Sequence, residues 1–171
     1  MNTNAATEKN DVRMLPWTRA CFVCGENNPR GFRLKSRVES GVVVLDYQIS
    51  EADVGWRHTV HGGISMTLLD EVMTWAAILA GRRPCLAAEI NVRLRRTIGV
   101  GSRLRVEGRA VGGKARLILT EGRILDLEGA TLATASGKYI AMPAEQFQIC
   151  KEDFVTAPET IDPRDLFEFQ G

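Results

Sequence analysis

The chain has 171 residues, of which 44% are hydrophobic and 25% are charged, and its formal net charge is +1. This length predicts one domain with room for terminal extensions, and the composition is that of a soluble globular protein. A net charge near zero argues against a protein that binds nucleic acid. The polar start MNTNAATEKNDVR does not resemble a signal peptide, and no segment approaches the roughly 20 apolar residues that cross a bilayer. We therefore expect a cytoplasmic protein with reduced cysteines and no membrane partner.

Charge is divided unevenly between the body of the chain and its C-terminal end. Residues 143–171 contain two basic and seven acidic residues, a net charge of −5, whereas the rest of the chain carries +6. We expect residues 1–20 to be a flexible leader and residues 21–142 to be the folded domain. Residues 143–171 are expected to be an acidic extension that lies on the surface of the body and is partly disordered.

The predicted elements begin with turns and a β-hairpin. The stretch CFVCGENNPRG is turn material, because glycine, asparagine and proline follow one another closely. Residues 32–38 and 42–49 are predicted to be two strands that the tripeptide ESG separates. Residues 50–61 are predicted to be a loop.

A long apolar helix follows this loop. The segment GGISMTLLDEVMTWAAILAG, residues 62–81, is apolar on all sides and ends at a glycine before Pro84, which predicts a mostly buried helix. After it the hydrophobic period changes to two, which predicts four strands at 88–96, 102–110, 115–126 and 130–142. This order indicates an α+β domain, in which one antiparallel sheet wraps around one helix.

The start of this helix and one acid inside it carry the chemical signal. Gly62 and Gly63 follow His61 where the helix begins, and the first N–H groups of a helix have no partner within it. Such a terminus can stabilise an oxyanion, or it can be only a tight turn into a buried helix. Asp70 is unusual, because a carboxylate on an apolar helix costs free energy unless it is hydrogen-bonded or lies in a cleft. Its neighbour Glu71 is predicted to be a surface acid.

Helical spacing places four residues on one side of this helix: Gly62, Met66, Asp70 and Thr74. Gly62 and Asp70 are about 12 Å apart along the axis at 1.5 Å per residue, so one carbonyl carbon cannot contact both in the same chain. If both act on one substrate, they come from different subunits. The motif therefore predicts a dimer with composite sites.

These motifs resemble those of the hotdog-fold acyl-CoA thioesterases of the phenylacetate-pathway (PaaI-like) type, within the 4-hydroxybenzoyl-CoA thioesterase superfamily. The resemblance covers about residues 20–142 and includes CFVCGENNPRGFRL, VHGGISMTLLDE and AEINVRLRR. It implies a hotdog fold, an antiparallel β-sheet around one long central α-helix. It also implies a homodimer, often paired into a homotetramer, with active sites between subunits. The substrate would be an acyl-CoA, and no cofactor beyond the coenzyme A of the substrate would be needed.

The resemblance assigns roles to residues of the helix. Asp70 stands where the family carries its catalytic carboxylate, which acts as general base or, less often, as nucleophile at the thioester carbon. The backbone N–H of Gly62, with help from Gly63, would polarise the thioester oxygen. His61 would position the turn or the thioester, and Thr74 matches a position that holds substrate or water in some relatives.

Two positions depart from the family pattern. The loop before the glycines commonly reads G-x-P-G-x-V in relatives, whereas residues 55–60 here read GWRHTV, so we expect an unusual acyl specificity. Trp56 in this loop is a candidate for the acyl pocket, and His58 is either a polar contact to substrate or an exposed loop residue. Ala87 occupies a position where some relatives carry Ser or Thr, so an auxiliary hydroxyl is missing.

Arginines and cysteines supply the remaining candidates. Most arginines of the predicted strands are explained as the polar side of a sheet, and three are candidates for contacts with the phosphates of coenzyme A: Arg93, Arg95 and Arg96. No aromatic stacking pattern beside them indicates nucleic acid. Cys21 and Cys24 form a single C-x-x-C pair, but a tetrahedral zinc site needs two more ligands, so no metal is expected.

Together these features predict an enzyme that hydrolyses an acyl-CoA thioester to a free acid and coenzyme A, by Asp70-assisted attack of water. Two other functions stay open. One is a 3-hydroxyacyl thioester dehydratase or hydratase on the same fold, a chemistry that generally pairs a histidine with an acid. The other is a non-catalytic acyl-CoA-binding module.

Overall fold

The computed structural model describes residues 12–114, 116–143, 145–147 and 151–167. The central helix α1 spans Gly62–Gly81. The strands, in chain order, are β1 (Val12–Met14), β2 (Trp17–Thr18), β3 (Arg37–Glu39), β4 (Val42–Gln48), β5 (Val54–Trp56), β6 (Thr59–Val60), β7 (Cys85–Leu94), β8 (Arg103–Lys114), β9 (Leu117–Leu125), β10 (Thr131–Ala141) and β11 (Phe154–Val155). Short helices cover Glu51–Asp53, Lys151–Asp153 and Pro163–Leu166.

Seven of these strands form one antiparallel sheet in the order β1-β3-β4-β8-β9-β10-β7. Two small ribbons, β5-β6 and β11-β2, lie outside it. The helix packs on one face of the sheet, and its buried residues join those of β4, β8, β9 and β10 in one core. The predicted α+β architecture, one antiparallel sheet around one long helix, is confirmed.

The helix has the bounds that the sequence predicts. Its buried side includes Leu68, Leu69 and Val72, none of which is measurably exposed. By length and composition α1 could also cross a membrane, contrary to the expectation that no segment qualifies, but half of that apolar window is buried inside the protein. A core helix of a globular domain passes the same test, because it too needs a nearly continuous apolar surface.

The predicted hairpin is present, but its first strand is shorter than the predicted 32–38. Ser40 and Gly41 form the turn with φ values of 47° and 81°, as a two-residue hairpin turn of the primed type requires. Residues before Arg37 do not pair with β4. Instead the N–H groups of Phe32 and Leu34 donate to carbonyl oxygens of the 21–24 turn, at 3.0 and 2.9 Å.

Two facing glycines let the helix approach the sheet closely. Gly108 on β8 and Gly122 on β9 are register partners. A Cβ atom added at Gly108 would lie 2.4 Å from the carbonyl oxygen of Val72, and one at Gly122 would lie 3.1 Å from the side chain of Met73. The backbone of α1 therefore rests almost directly on the backbone of β8, which fixes both the depth and the rotation of the helix.

The face of the sheet that points away from the helix is polar and carries several ion pairs. Arg105 contacts both Glu39 and Glu107, Arg123 contacts Glu107, and Arg109 contacts Glu121. These strand arginines are thus the polar side of alternating strands, as predicted.

The described segments near both ends of the chain are built into the body. Leu15 is 1% exposed, and β2 pairs with β11 of the C-terminal extension. Phe147, Leu166 and Phe167 are buried with the core residues. The described part of the acidic extension therefore completes the core, and the expectation that it lies on the surface was wrong. Residues 1–11 and 168–171, part of the expected leader and tail, lie outside the described residues.

We expect Gly108→Ala to destabilise the protein by about 1–3 kcal/mol or more, because the new methyl group meets helix backbone rather than a flexible side chain. Gly112→Ala, on the same strand, is the matched control, since a Cβ there meets no atom within 4 Å. Urea denaturation of both variants measures the difference. Equal stability of the two would show that α1 does not rest on Gly108.

Candidate active site

His61 caps the start of α1. Its backbone N–H donates to the carbonyl oxygen of Asp53 at 2.7 Å, and its Nδ1 accepts the N–H of Gly63 at 2.9 Å. The side chain of His61 therefore holds the turn in place. Because the N–H of Gly63 is occupied, this geometry does not support the predicted help from Gly63 at an oxyanion. Gly62 is the first helical residue, where N–H groups have no partner within the helix.

Asp53 anchors the start of the helix through its carbonyl oxygen, which accepts the hydrogen bond from the His61 N–H. The sequence analysis did not identify it as a positioning residue. It is 4% exposed, and its Oδ2 accepts hydrogen bonds from the Tyr47 hydroxyl at 2.8 Å, the Ser50 N–H at 2.7 Å and the Ser50 hydroxyl at 2.8 Å. Its backbone oxygen is then free to hold His61. The capping pattern Ser50 to Asp53 was a readable signal, which the loop prediction overlooked.

Asp70 is half-buried and held by two hydroxyl groups. Its Oδ1 accepts from the Tyr139 hydroxyl at 2.8 Å and from the Thr74 hydroxyl at 3.2 Å. Its Oδ2 has no hydrogen-bond partner among the described residues. One carboxylate oxygen is thus fixed by the protein, and the other is available to a ligand or a water molecule.

Tyr139 is the residue at this site that the sequence analysis missed. It lies on β10, is fully buried, and has its pKa raised by burial and by the charge of Asp70. Gly137 makes room for it, since a Cβ there would lie 2.6 Å from the Tyr139 ring. The available sequence signal was a tyrosine two residues after a glycine within a predicted strand. No local pattern connects this tyrosine with Asp70, which lies 69 positions earlier.

The predicted side of the helix is confirmed as a partly exposed stripe, which we call the helix stripe: Gly62, Met66, Asp70 and Thr74. It runs along strand β7. Leu94 lies against the start of the helix, 3.1 Å from a Cβ placed at Gly62, and Ala87 is the register partner of Tyr139, which binds Asp70. The helix stripe and β7 therefore share one edge of the molecule.

Glu71 was predicted to be a surface acid, and this was wrong. It is 9% exposed, and its Oε1 accepts the indole N–H of Trp75 at 3.1 Å. Burial raises its pKa to about 7. Successive residues of a helix are rotated by about 100° around its axis, so Glu71 and Asp70 face different surroundings. Glu71 faces the turn that contains Cys21 and Cys24.

Trp56 and His58 lie on the β5-β6 ribbon beside the helix start. Trp56 is 85% exposed, so a single chain does not provide a pocket around it. His58 is exposed and has a φ of 60°, the left-handed region that favours glycine. The loop pattern of the relatives has glycine at this position. His58 therefore adopts the backbone conformation that suits glycine while it also presents an imidazole side chain.

The three candidate arginines are exposed at the end of β7 and just beyond it. Arg93 and Arg95 line a groove of about 690 Å³ on the sheet face away from the helix, together with Glu107, Arg109 and Arg123. Asp70 is not part of this groove. Because the two carboxylates of this groove, Glu107 and Glu121, are already engaged in ion pairs, we place the candidate site at the helix stripe.

Comparison with known families identifies the fold. The profile described as Thioesterase superfamily matches residues 58–133, which include the helix start, Asp70 and β7. No curated protein sequence matches the chain.

Solved structures share this fold. A thioesterase superfamily protein is 25% identical, with a TM-score of 0.66 over 71% of this chain and 60% of that chain. A Streptococcus mutans protein bound to acetyl CoA is 17% identical, with a TM-score of 0.57 over 60% of this chain and 82% of that chain. The E. coli PaaI protein from the phenylacetic acid degradation operon is 16% identical, with a TM-score of 0.57 over 61% of this chain and 75% of that chain. The antiparallel sheet around α1 and the structural neighbours show that this chain has the hotdog fold, and its residues 58–133 match the profile described as Thioesterase superfamily.

Proposed function

We propose that this protein is an acyl-CoA thioesterase, which hydrolyses a thioester to a free acid and coenzyme A. The observation that carries the proposal is the state of Asp70: a half-buried carboxylate with one oxygen fixed by Tyr139 and Thr74 and the other oxygen unpartnered among the described residues. The structural neighbour that binds acetyl CoA supports coenzyme A as the carrier group. No metal or separate cofactor takes part in this reaction.

In the proposed reaction Asp70 acts as general base. Its Oδ2 takes a proton from a water molecule, and the resulting hydroxide attacks the thioester carbon. The N–H of Gly62 stabilises the negative charge that develops on the carbonyl oxygen. The carbon–sulfur bond then breaks, and the coenzyme A thiolate takes up the proton from Asp70.

The two catalytic groups come from different subunits in this proposal. Gly62 and Asp70 are about 12 Å apart along one helix, too far to act on the same carbonyl group. Strand β7 is an edge strand of ten residues with exposed Leu86 and Leu94, and it runs beside the helix stripe. Pairing of two β7 edges would satisfy their backbone groups and bring each helix stripe near the helix start of the other subunit.

The exposed residues around this edge supply substrate contacts in the dimer or in a dimer of dimers. Trp56 and His58 lie beside the helix start and contact the acyl group. Arg93, at the end of β7, and Arg95 and Arg96, just beyond it, would meet the phosphates at the far end of coenzyme A, for which the guanidinium group is suited; Arg93 and Arg95 do so from the sheet face away from the helix.

The primary test is release of free thiol from a panel of aromatic, short-chain and long-chain acyl-CoAs. We expect wild type to cleave at least one class and Asp70→Asn to be slower by about 10²–10⁴-fold, the usual contribution of a general base. Absence of release from every substrate, with acyl-CoA still bound, would indicate the binding module. Water addition to or loss from a 3-hydroxyacyl-CoA would indicate the dehydratase or hydratase.

A second prediction concerns Tyr139 as a positioning residue. The chain has two tyrosines, and each donates a 2.8 Å hydrogen bond to an aspartate: Tyr139 to Asp70 and Tyr47 to Asp53. Tyr139→Phe and Tyr47→Phe should both lose about 1–2 kcal/mol of stability. Tyr139→Phe should lower kcat more than Tyr47→Phe does, by roughly tenfold with little change in KM, because the Tyr139 bond orients the base itself whereas Tyr47 acts only through Asp53. Equal kcat values in the two variants would remove Tyr139 from the mechanism.

The oxyanion role of Gly62 can be tested with a substitution that removes its N–H. Proline is favoured at the first helical position, and His61 before it already has an extended backbone with ψ of 133°. Gly62→Pro should therefore fold normally and lower kcat by about 10²–10³-fold. Gly62→Ala keeps the N–H and introduces the same contact with Leu94, so it should stay active.

Mixed dimers test whether the sites are composite. A hybrid of Asp70→Asn and Gly62→Pro subunits would contain one intact site and one doubly altered site. Random reassembly should then restore about a quarter of wild-type activity, since half of the dimers are hybrids. Each subunit assembled alone is the control, and no gain on mixing would show that each site belongs to one chain.

A further inference from the structure

The turn at residues 21–25 is a compact, pre-organised loop. The Val23 N–H donates to Cys21 Sγ at 3.3 Å, and the Gly25 N–H donates to the Cys21 carbonyl oxygen at 2.9 Å. Only glycine fits at position 25, because a Cβ there would lie 2.2 Å from that same oxygen. The loop therefore holds both cysteine side chains on the same side, toward α1.

A third ligand-bearing side chain reaches this turn from the helix. The Sγ atoms of Cys21 and Cys24 and a carboxylate oxygen of Glu71 all lie within 4.8 Å of one another. In a tetrahedral zinc site such atoms are about 3.6–3.8 Å apart, given Zn–S distances near 2.3 Å and Zn–O distances near 2.1 Å. Shifts of about 1 Å or less in side chains would bring the three into that geometry.

The surroundings of Glu71 favour a cation at this point. Its side chain is buried, and no Lys, Arg or His forms an ion pair with it within the described residues. Lys35 does not pair with Glu71: it donates to the Cys24 carbonyl oxygen at 3.2 Å and lies over the Trp17 ring. A buried carboxylate without a counter-ion costs free energy, and a metal ion would offset that cost.

We propose that Cys21, Cys24 and Glu71 form a zinc site that joins the N-terminal turn to helix α1. Two thiolates and one carboxylate suit Zn²⁺ better than the hard cations, which prefer oxygen ligands alone. Binding releases the thiol protons to solvent, and a water molecule on the half-exposed Cys21 side completes the tetrahedron. The ion stabilises the helix one residue from Asp70 but takes no part in the chemistry there.

The composition of the proposed zinc site also explains why no metal was predicted from the sequence. A C-x-x-C pair usually takes its remaining ligands from a second pair, and the chain has none. The third ligand comes from the helix, from a residue whose burial the local pattern did not indicate.

The test uses the reduced full-length protein and two probes, Zn²⁺ and Co²⁺. We expect one Zn²⁺ per chain after removal of excess metal, a rise in Tm on adding Zn²⁺, and thiolate-to-cobalt charge-transfer absorption with Co²⁺.

Glu71→Gln retains an acceptor for the Trp75 indole N–H and should therefore fold. If Glu71 is a direct ligand, this variant should weaken Co²⁺ binding by more than roughly 10–100-fold, which is the usual cost of losing a residue that only supports a ligand. Cys24→Ser should weaken the charge-transfer band. Cys85→Ser is the matched control, because Cys85 is also buried but lies on β7, away from the turn.

Three results would overturn the proposal: no metal bound by the reduced wild type, equal affinity in wild type and Glu71→Gln, or a Cys21–Cys24 disulfide that persists under mild reductant. The last result would identify a redox pair instead. None of these measurements depends on thioester hydrolysis, so the zinc site and the proposed activity succeed or fail separately.

Discussion

The close approach of helix α1 to strand β8 is the constraint on which the rest of the structure depends. At Gly108 the helix backbone lies where a side chain would otherwise stand, and the partner glycine on β9 admits the side chains of Leu69 and Met73. A helix seated this deeply cannot rotate without driving its backbone into the sheet. Its rotation decides which helical residues face the core and which face the open edge.

Two neighbouring acids show the consequence of this fixed rotation. Asp70 faces the edge formed with β7, where Tyr139 and Thr74 orient it and part of it stays open. Glu71, rotated by about 100° around the helix axis, faces a buried space beside the cysteine turn. Two carboxylates at adjacent positions thus have two environments and, in our proposals, two roles: a base for hydrolysis and a ligand for a metal ion.

The terminal segments cover the side of the helix that the sheet leaves open. Strands β2 and β11 form a ribbon over it, and Phe154 packs edge-on against Trp75 with ring centres 6.5 Å apart. This cover excludes water from the Glu71 side and leaves the helix stripe uncovered. The asymmetry leaves the Asp70 side as the more exposed side of the helix.

Local sequence patterns by themselves determined the helix, the later strands and the candidate acid. The bounds of the helix, residues 62–81, were predicted correctly because the glycines at its start and the Gly81–Pro84 segment at its end are local signals. Strands β8–β10 were predicted because the alternation of apolar and polar residues is also a local property. Only the tertiary structure decided that Tyr139 holds Asp70, that Glu71 is buried with two cysteines, and that the acidic extension supplies core residues. Each of these depends on contacts between residues far apart in the chain, and such contacts leave no periodic signal in the segments that make them.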